Sequence, residues 1–344
     1  MNDDIIMMAD GGGGEKMQDF IRREILSRFA PADSSGELRK LGDAARVEID
    51  GPLAFTTDSY VVRPLEFPGG DIGRLAISGT VNDLACLGAQ PVAISMGLIL
   101  EEGLDLATLR RVLDSAAAAA REVGVPVVCG DTKVVERGSA DAMFINTAGI
   151  GRILGGRRLG AEAVRPGDKV LVTGTLGDHG VAVMSRREGL KFEAAVSSDV
   201  APLWPLAEAI LAACPNLRCL KDPTRGGLAA VVNEIAEAAR VRIRIDEASV
   251  PVRPAVLGAC ETLGLDVLSV ANEGKFVVIT PPDEADAALA AMRGHPLGRE
   301  AALVGEVLPE AEGRKTQLRV TLRTRIGGER VLELPYGEQL PRIC

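Results

Sequence analysis

The chain has 344 residues, 47% of them hydrophobic and 25% charged, with 3% aromatics and a formal net charge of -9. That length and composition fit a folded protein of two ordinary domains. The acidic balance argues against nucleic acid, which needs a basic face and stacking rings. No apolar run approaches the roughly 18 residues of a membrane span, and the start Met1-Asn2-Asp3-Asp4 lacks the basic flank of a signal peptide. A cytoplasmic protein that does not engage membranes is therefore expected. The two histidines, His179 and His295, argue against a His-rich zinc site or a Ser-His-Asp triad. Six cysteines are too few for a disulfide scaffold.

In chain order, the glycine run Gly11, Gly12, Gly13, Gly14 precedes a helix whose apolar face is Met17, Phe20, Ile21, Ile25 and Phe29. Val47–Ile49 and Leu53–Phe55 read as strand, turn, strand. Residues 75–87 and 106–123 read as helices, and 92–100, 125–129 and 143–153 as strands. A Gly/Pro-rich stretch over 155–167 reads as a linker. Beyond it, a strand over 169–173 opens a second unit, with helices near 178–188, 203–213, 227–239 and 283–293. Strands follow near 241–245, 275–280 and 302–307. Segments 318–324 and 330–334 flank Gly327-Gly328 as a hairpin, and a tail without periodicity follows it. The expected organisation is 1–34 as a glycine-rich segment and helix, 35–155 as an N-terminal domain, 165–310 as a C-terminal domain, and 311–344 as hairpin plus tail. Mixed strands and helices in both halves make the class α/β to α+β.

No P-loop sequence occurs, so phosphate would have to meet backbone amides elsewhere. Gly11 to Gly14 and Gly226-Gly227, each before a helix, are candidates, because glycine lets an anion approach free amides closely. Five aspartates sit in polar breaks between apolar stretches: Asp43, Asp58, Asp83, Asp131 and Asp222. Asp58, Asp131 and Asp43 are expected at strand ends. Gathered around a polyphosphate they would repel it unless a hard divalent cation lay between; taken singly, each equally suits a cap or turn. Lys133 follows Asp131 on the same side of an extended chain. Glu273 precedes an apolar strand, as a base, a metal ligand or a solvated turn. His179, in Gly-Asp-His-Gly, reads as a loop or cap residue, and Cys86, Cys129 and Cys260 as core. Cys214 and Cys219 read as structural, not as a zinc site. Cys344 is the last residue of the tail, where a thiolate is accessible as a nucleophile or acyl carrier.

Several segments recur in order along nearly the whole chain: Asp10-Gly11-Gly12-Gly13-Gly14, Thr57-Asp58-Ser59, Thr80-Val81-Asn82-Asp83, Gly130-Asp131-Thr132-Lys133, Gly177-Asp178-His179-Gly180, Asp222-Pro223-Thr224-Arg225-Gly226-Gly227, Asn272-Glu273-Gly274 and Pro341-Arg342-Ile343-Cys344. Together they resemble the HypE family of hydrogenase maturation factors, within the aminoimidazole ribonucleotide synthetase (PurM-like) superfamily. Asp10 stands where that family commonly has histidine. The resemblance implies a two-domain PurM-like fold with mixed sheets and a flexible C-terminal tail, a homodimer formed through the N-terminal domain, and ATP and Mg2+ as cofactors.

By the same resemblance, the carbamoyltransferase HypF loads a carbamoyl group onto Cys344. This chain would then dehydrate it to a protein thiocyanate, a cyanide donor for nickel–iron hydrogenase through the HypC–HypD complex. Asp43, Asp58, Asp83, Asp131 and Asp222 would hold the cation. The glycine loops would hold nucleotide, joined by Asn82, Thr132, Thr224 and Arg225. Lys133 would neutralise charge on the transferred group, and Glu273 would take the nitrogen proton. The ten residues Pro335 to Cys344 reach at most roughly 33 Å, enough for an outward loading position and an inward reacting one. Rival readings are another superfamily synthetase, of selenophosphate or ribonucleotide type, and a non-catalytic thiol carrier. A reactive cysteine near the N-terminus would favour the selenophosphate type, and the first cysteine here is Cys86.

Overall fold

The computed structural model describes residues 4–12, 14–42, 44–189, 196–310, 319–335, 340 and 342–344. Helix α1 (Gly14–Phe20) runs through a π-helical turn, Ile21–Leu26, into α2 (Ser27–Phe29), and the short α3 (Glu37–Lys40) follows. Glu24, on the π turn, is buried and paired with Arg23, Arg28 and Arg110, which fixes this segment to the domain behind it. The Arg110 and Arg23 guanidiniums outweigh the cost of burial and hold the Glu24 carboxyl down at about 2.

Strand β1 (Leu53–Tyr60), the ribbon β2 (Glu66–Phe67) and β3 (Gly70–Asp71), α4 (Ile72–Cys86), β4 (Ala89–Glu101), α5 (Leu106–Glu122), β5 (Val127–Val135) and β6 (Met143–Ile153) build the first domain. Its sheet has the order β1-β6-β4-β5, with β4 and β5 parallel and the rest antiparallel. Asp71 starts α4 by accepting from the amides of Gly73 and Arg74, and Asp105 starts α5 by accepting from Thr108. Helix α4 is apolar almost all round because it is covered on every side. Its own sheet lies on one side, and elements of the second domain lie on the other.

The second domain comprises β7 (Lys169–Val172), α6 (Asp178–Arg187), α7 (Trp204–Ala213), β8 (Cys219–Lys221), α8 (Gly227–Ala239), β9 (Arg242–Asp246), α9 (Pro254–Leu263), β10 (Val277–Thr280), α10 (Ala285–Gly294), β11 (Ala302–Leu308), β12 (Val320–Arg323) and β13 (Glu329–Val331). These strands form one sheet in the order β13-β12-β9-β11-β7-β10-β8. Strand β10 is buried at every position because helices cover both faces of the sheet.

The expected strands over 92–100 and 143–153, and most of the helices, form as read. Among the described residues, Val47–Ile49 is not a strand: β1 is an edge strand whose pairing goes to β6, leaving that stretch no partner. Strand β5 does not stop at Cys129 but runs on to Val135, because its parallel ladder with β4 continues to Val135 opposite Glu101. The terminal hairpin is not a unit apart, since β12 pairs in parallel with β9 and extends the second sheet. Strand β8 and helix α9 have no counterpart in the sequence reading.

Candidate active site at the domain junction

Alternation along β1 turns Ala54, Thr56, Asp58 and Tyr60 toward α4 and leaves Leu53, Phe55, Thr57 and Ser59 on the open face of the sheet. Asp83 on α4 accepts from Thr56 Oγ1 at 2.8 Å. Asp222, at the end of β8, faces the same space, and Cys86 Sγ donates to it at 3.7 Å. Glu273 comes in from the second domain, buried, with Oε1 unpaired.

The four acids crowd one another, and the pKa directions follow. Burial, then Asp222, Asp199, Asp58 and Asp83, drive the Glu273 carboxyl well above its ordinary value. Burial and the charge of Asp83 push Asp222 up to about 7. Burial and Asp58 raise Asp83, although its bond from Thr56 works the other way. The phenol of Tyr60, fully buried beside Asp58, Glu273 and Asp83, is likewise pushed up.

Glu273 is held by its backbone. Asp199 accepts from the amides of Glu273 at 3.1 Å and Gly274 at 3.2 Å, and pairs with Lys275 at 3.2 Å. Burial alone would raise the Asp199 carboxyl; the Lys275 ammonium and the Glu273 amide outweigh it and keep it low. No side chain fits at Gly274, where a Cβ would strike the Asp199 carbonyl. Asn82 spends its amide on stitching the domains together: Nδ2 donates to the Ala201 and Glu273 carbonyls, and Oδ1 accepts from Leu203. That places Asn82 behind the site rather than free for a nucleotide. Gly226 and Gly227 take positive φ at the start of α8, and a Cβ on Gly227 would meet the carbonyls of Leu268 and Val270 at 2.6 Å. Thr224 accepts the Gly227 amide through its carbonyl, and Arg225 is exposed.

The tail ends here, in the inward of the two expected positions. Arg342 and Cys344 offer their carbonyls to the amides of Arg63 and Val61, so the last residues run antiparallel to the chain leaving β1. Cys344 thus lies opposite Val61, next to Tyr60 and three residues along from Asp58. Ile343 is buried, Arg342 pairs with Asp141 and donates to the Val61 carbonyl, and Arg187 donates to the Arg342 carbonyl. His179 is not a loop residue. It is fully buried in the first turn of α6, with Nε2 2.7 Å from the Ile343 carbonyl.

The remaining expected residues gather elsewhere. Asp131 and Lys133 lie inside β5, not at a strand end, bonded to each other at 2.7 Å and 62% and 61% exposed. Asp131 also accepts the amide of Thr132, whose side chain is buried. Register puts Asp131 beside Gly97 and Lys133 beside Ile99, on the open face. Strands β1 and β5 are opposite edges of the sheet, three spacings or roughly 14 Å apart. Asp131 therefore does not converge with Asp58, Asp83 and Asp222 within one chain, and Asp58 too is interior to its strand. Gly11 packs against Val134 so closely that a Cβ would overlap it, and Gly14 has positive φ, so the glycine run abuts β5. Asp10 is occupied in accepting the Met7 amide. Gly13 and Asp43 lie outside the described residues, as does Pro341. Cys214, Cys219 and Cys260 are buried, and Cys86 packs against the core where it borders the acidic cleft.

Asp199, Lys275, Tyr60 and His179 were not singled out as site residues. Lys275 follows Glu273-Gly274, Tyr60 follows Thr57-Asp58-Ser59 and His179 lies in Gly-Asp-His-Gly, while Asp199 stands in none of these segments.

The two domains are those of the AIR synthase related proteins. Residues 41–153 match the N-terminal domain of that family and residues 165–316 its C-terminal domain. Within that class the chain belongs to the HypE carbamoyl dehydratases. It is 48% identical to the carbamoyl dehydratase HypE of Rhodobacter capsulatus over 100% of this chain and 99% of that protein. A crystal structure of the hydrogenase maturation protein HypE in complex with ATP superposes with a TM-score of 0.92 at 47% identity, covering 98% of this chain and 99% of that one. HypE in a crystal structure of a HypE–HypF complex superposes at 0.79 with 44% identity, over 92% and 99%.

Proposed function

We propose that this chain is an ATP-dependent carbamoyl dehydratase that acts on its own Cys344 and supplies cyanide for nickel–iron hydrogenase maturation. The S-carbamoyl group and ATP become S-cyano cysteine, ADP and phosphate. The seat of Cys344 opposite Val61, three residues along the chain from Asp58, which is one of the acids that crowd Glu273, supports this reading. A carbamoyl oxygen leaves badly until it takes the γ-phosphoryl group of ATP, after which it departs as phosphate. The nitrogen must shed two protons; Glu273 takes one, and the other leaves with the phosphate. Burial makes ionised Glu273 a stronger base than an exposed carboxylate.

ATP would bind at the other sheet edge. A cavity of about 420 Å3 there, lined by Met17, Ile21, Leu38, Met96 and Val128 with Asp131 at its rim, suits a nucleoside. The amides of Gly12 and Gly14 and the charge of Lys133 would face phosphates, while the Gly11 amide is spent on the Met8 carbonyl. Among the described residues, no three acids form a ready cation cage. That suits Mg2+, which is held by one or two carboxylates together with substrate phosphates. Asp83 and Asp222, whose carboxyls burial and neighbouring charge raise, would receive it beside Asp58, with Asp131 reaching it from the other edge and Asp43 as a further candidate ligand.

A homodimer reconciles the two edges. Leu53, Phe55 and Ile99 are exposed on the open face, Phe55 at 70%. A second copy on that face would bring the β5 edge of one chain to the acidic cleft of the other. A HypF-type carbamoyltransferase would load the tail, and a HypC–HypD complex would accept the cyanide, in the cytoplasm. Among the described residues, no helix is long and apolar enough to cross a membrane.

The test is mass spectrometry of Cys344 after carbamoylation. Loss of one water from the adduct only when ATP is added supports the dehydratase. A stable carbamoyl adduct in the presence of ATP and Mg2+ favours the bare thiol carrier.

A further inference from the structure

The buried groups around the tail form a connected path that the dehydration chemistry does not itself use. The carbonyl of Ile343 can only accept, so His179 carries its proton on Nε2 and donates it there, at 2.7 Å. Nδ1 is then an acceptor, and Ser198 Oγ lies 2.8 Å from it as the donor. Ser198 Oγ also accepts the Val200 amide at 3.0 Å, which shapes the turn containing Asp199. Asp199 holds the amides of Glu273 and Gly274. The ring is braced edge-on by Phe67, with centroids 5.3 Å apart. Both ring nitrogens are thus spent, one on the tail and one on the segment that carries the Glu273 anchor. No solvent reaches the ring to replace either partner.

We propose that His179 is a positioning residue that couples the docking of the carboxy-terminal tail to the placement of the Glu273 loop. The link runs from the Ile343 carbonyl through the imidazole to Ser198 and on to Asp199. When the tail leaves, Nε2–H loses the Ile343 carbonyl, and the space that carbonyl filled opens. The ring then turns or tautomerises to pair its proton again, and the Ser198 hydroxyl loses its acceptor with it. The loop bearing Glu273 is therefore held in its reacting position when the tail is seated, and is released when Cys344 is outside for loading. This rests on Cys344 as carrier and Glu273 as base.

The two nitrogens can be separated by substitution in the full-length protein. His179→Asn keeps an acceptor near Nδ1 and removes the donor to the tail. His179→Gln keeps a donor near Nε2 and removes the acceptor for Ser198. Docking is read as the rate at which iodoacetamide alkylates Cys344, followed by peptide mass spectrometry without nucleotide. Catalysis is read as single-turnover dehydration of carbamoylated Cys344. Loss of a buried hydrogen bond predicts about tenfold faster alkylation in His179→Asn. Alkylation in His179→Gln should stay within about twofold of the parent, while its dehydration slows about tenfold. Ser198→Ala, which leaves the ring in place, should behave as His179→Gln does and carries the test if the ring variants fail to fold.

Unchanged alkylation in a folded His179→Asn overturns the tail link. Parental dehydration rates in His179→Gln and Ser198→Ala overturn the loop link. A parent protein that never dehydrates defeats the functional reading instead, and leaves the alkylation result to decide the docking half alone.

Discussion

The two edges of the N-terminal sheet carry the same kind of side chain and treat it in opposite ways. At the β1 edge, Asp83, Asp222 and Glu273 are crowded at a domain junction, and their carboxyls are raised by burial and by one another. At the β5 edge, Asp131 stands in solvent, and its hydrogen bond from Lys133 leads the effects that hold its carboxyl below the usual range. The first environment suits proton transfer and the uptake of a cation; the second suits a fixed charge that meets phosphate. Neither edge has both, and one chain cannot bring them together across the sheet.

The comparison can be broken most forcefully at Glu273, the proposed base. Glu273→Gln should lower the dehydration rate by roughly 10²–10⁴-fold, with ATP still bound, as followed by the mass of Cys344 over time. A parental rate would move proton abstraction elsewhere. Phe55→Glu acts on the surface proposed to join the edges in a dimer. It should yield folded monomers in sedimentation and a dehydration rate lowered by more than about tenfold, because an exposed apolar patch is replaced by repelling charges. A dimer of unchanged stability would place the contact elsewhere.

Asp222→Asn sharpens the electrostatic half. Between about 3.8 and about 7, folded Asp222 keeps a proton that the unfolded chain has lost, so its contribution to stability falls as pH rises through that window. Without nucleotide or Mg2+, the variant should therefore be the more stable protein near pH 8, by at most about 4 kcal/mol, with the gain gone below about pH 4. Denaturant titrations at both pH values measure this, and a variant less stable at the higher pH would contradict the crowding.

What the sequence could and could not tell divides along the same lines. The apolar stretch that becomes β6 is legible because alternation and burial agree. Helix α4 is legible from its apolar content, though not the fact that a second domain covers it. The length of β5 was missed because Gly130-Asp131-Thr132-Lys133 is polar and glycine-bearing, and only its parallel partner β4 keeps it extended. The motif residues named in advance are mostly at one edge or the other, but nothing local told which edge. His179 was beyond reach for a related reason: its partner, Ile343, is 164 residues away, and a histidine in Gly-Asp-His-Gly gives no hint of burial. Asp199 and Lys275, whose work is to hold a backbone turn, were hidden in the same way.

The division of labour is tested most directly by mixing two inactive chains. Lys133→Ala removes the β5 cation and Glu273→Gln the cleft base, each in an otherwise intact chain. If one site draws on both chains, subunit exchange in an equimolar mixture regenerates an intact site in the mixed dimers, restoring about a quarter of the parental dehydration. If the mixture stays as inactive as its two components after exchange is verified, each site is built within a single chain, and the account of the two edges is wrong.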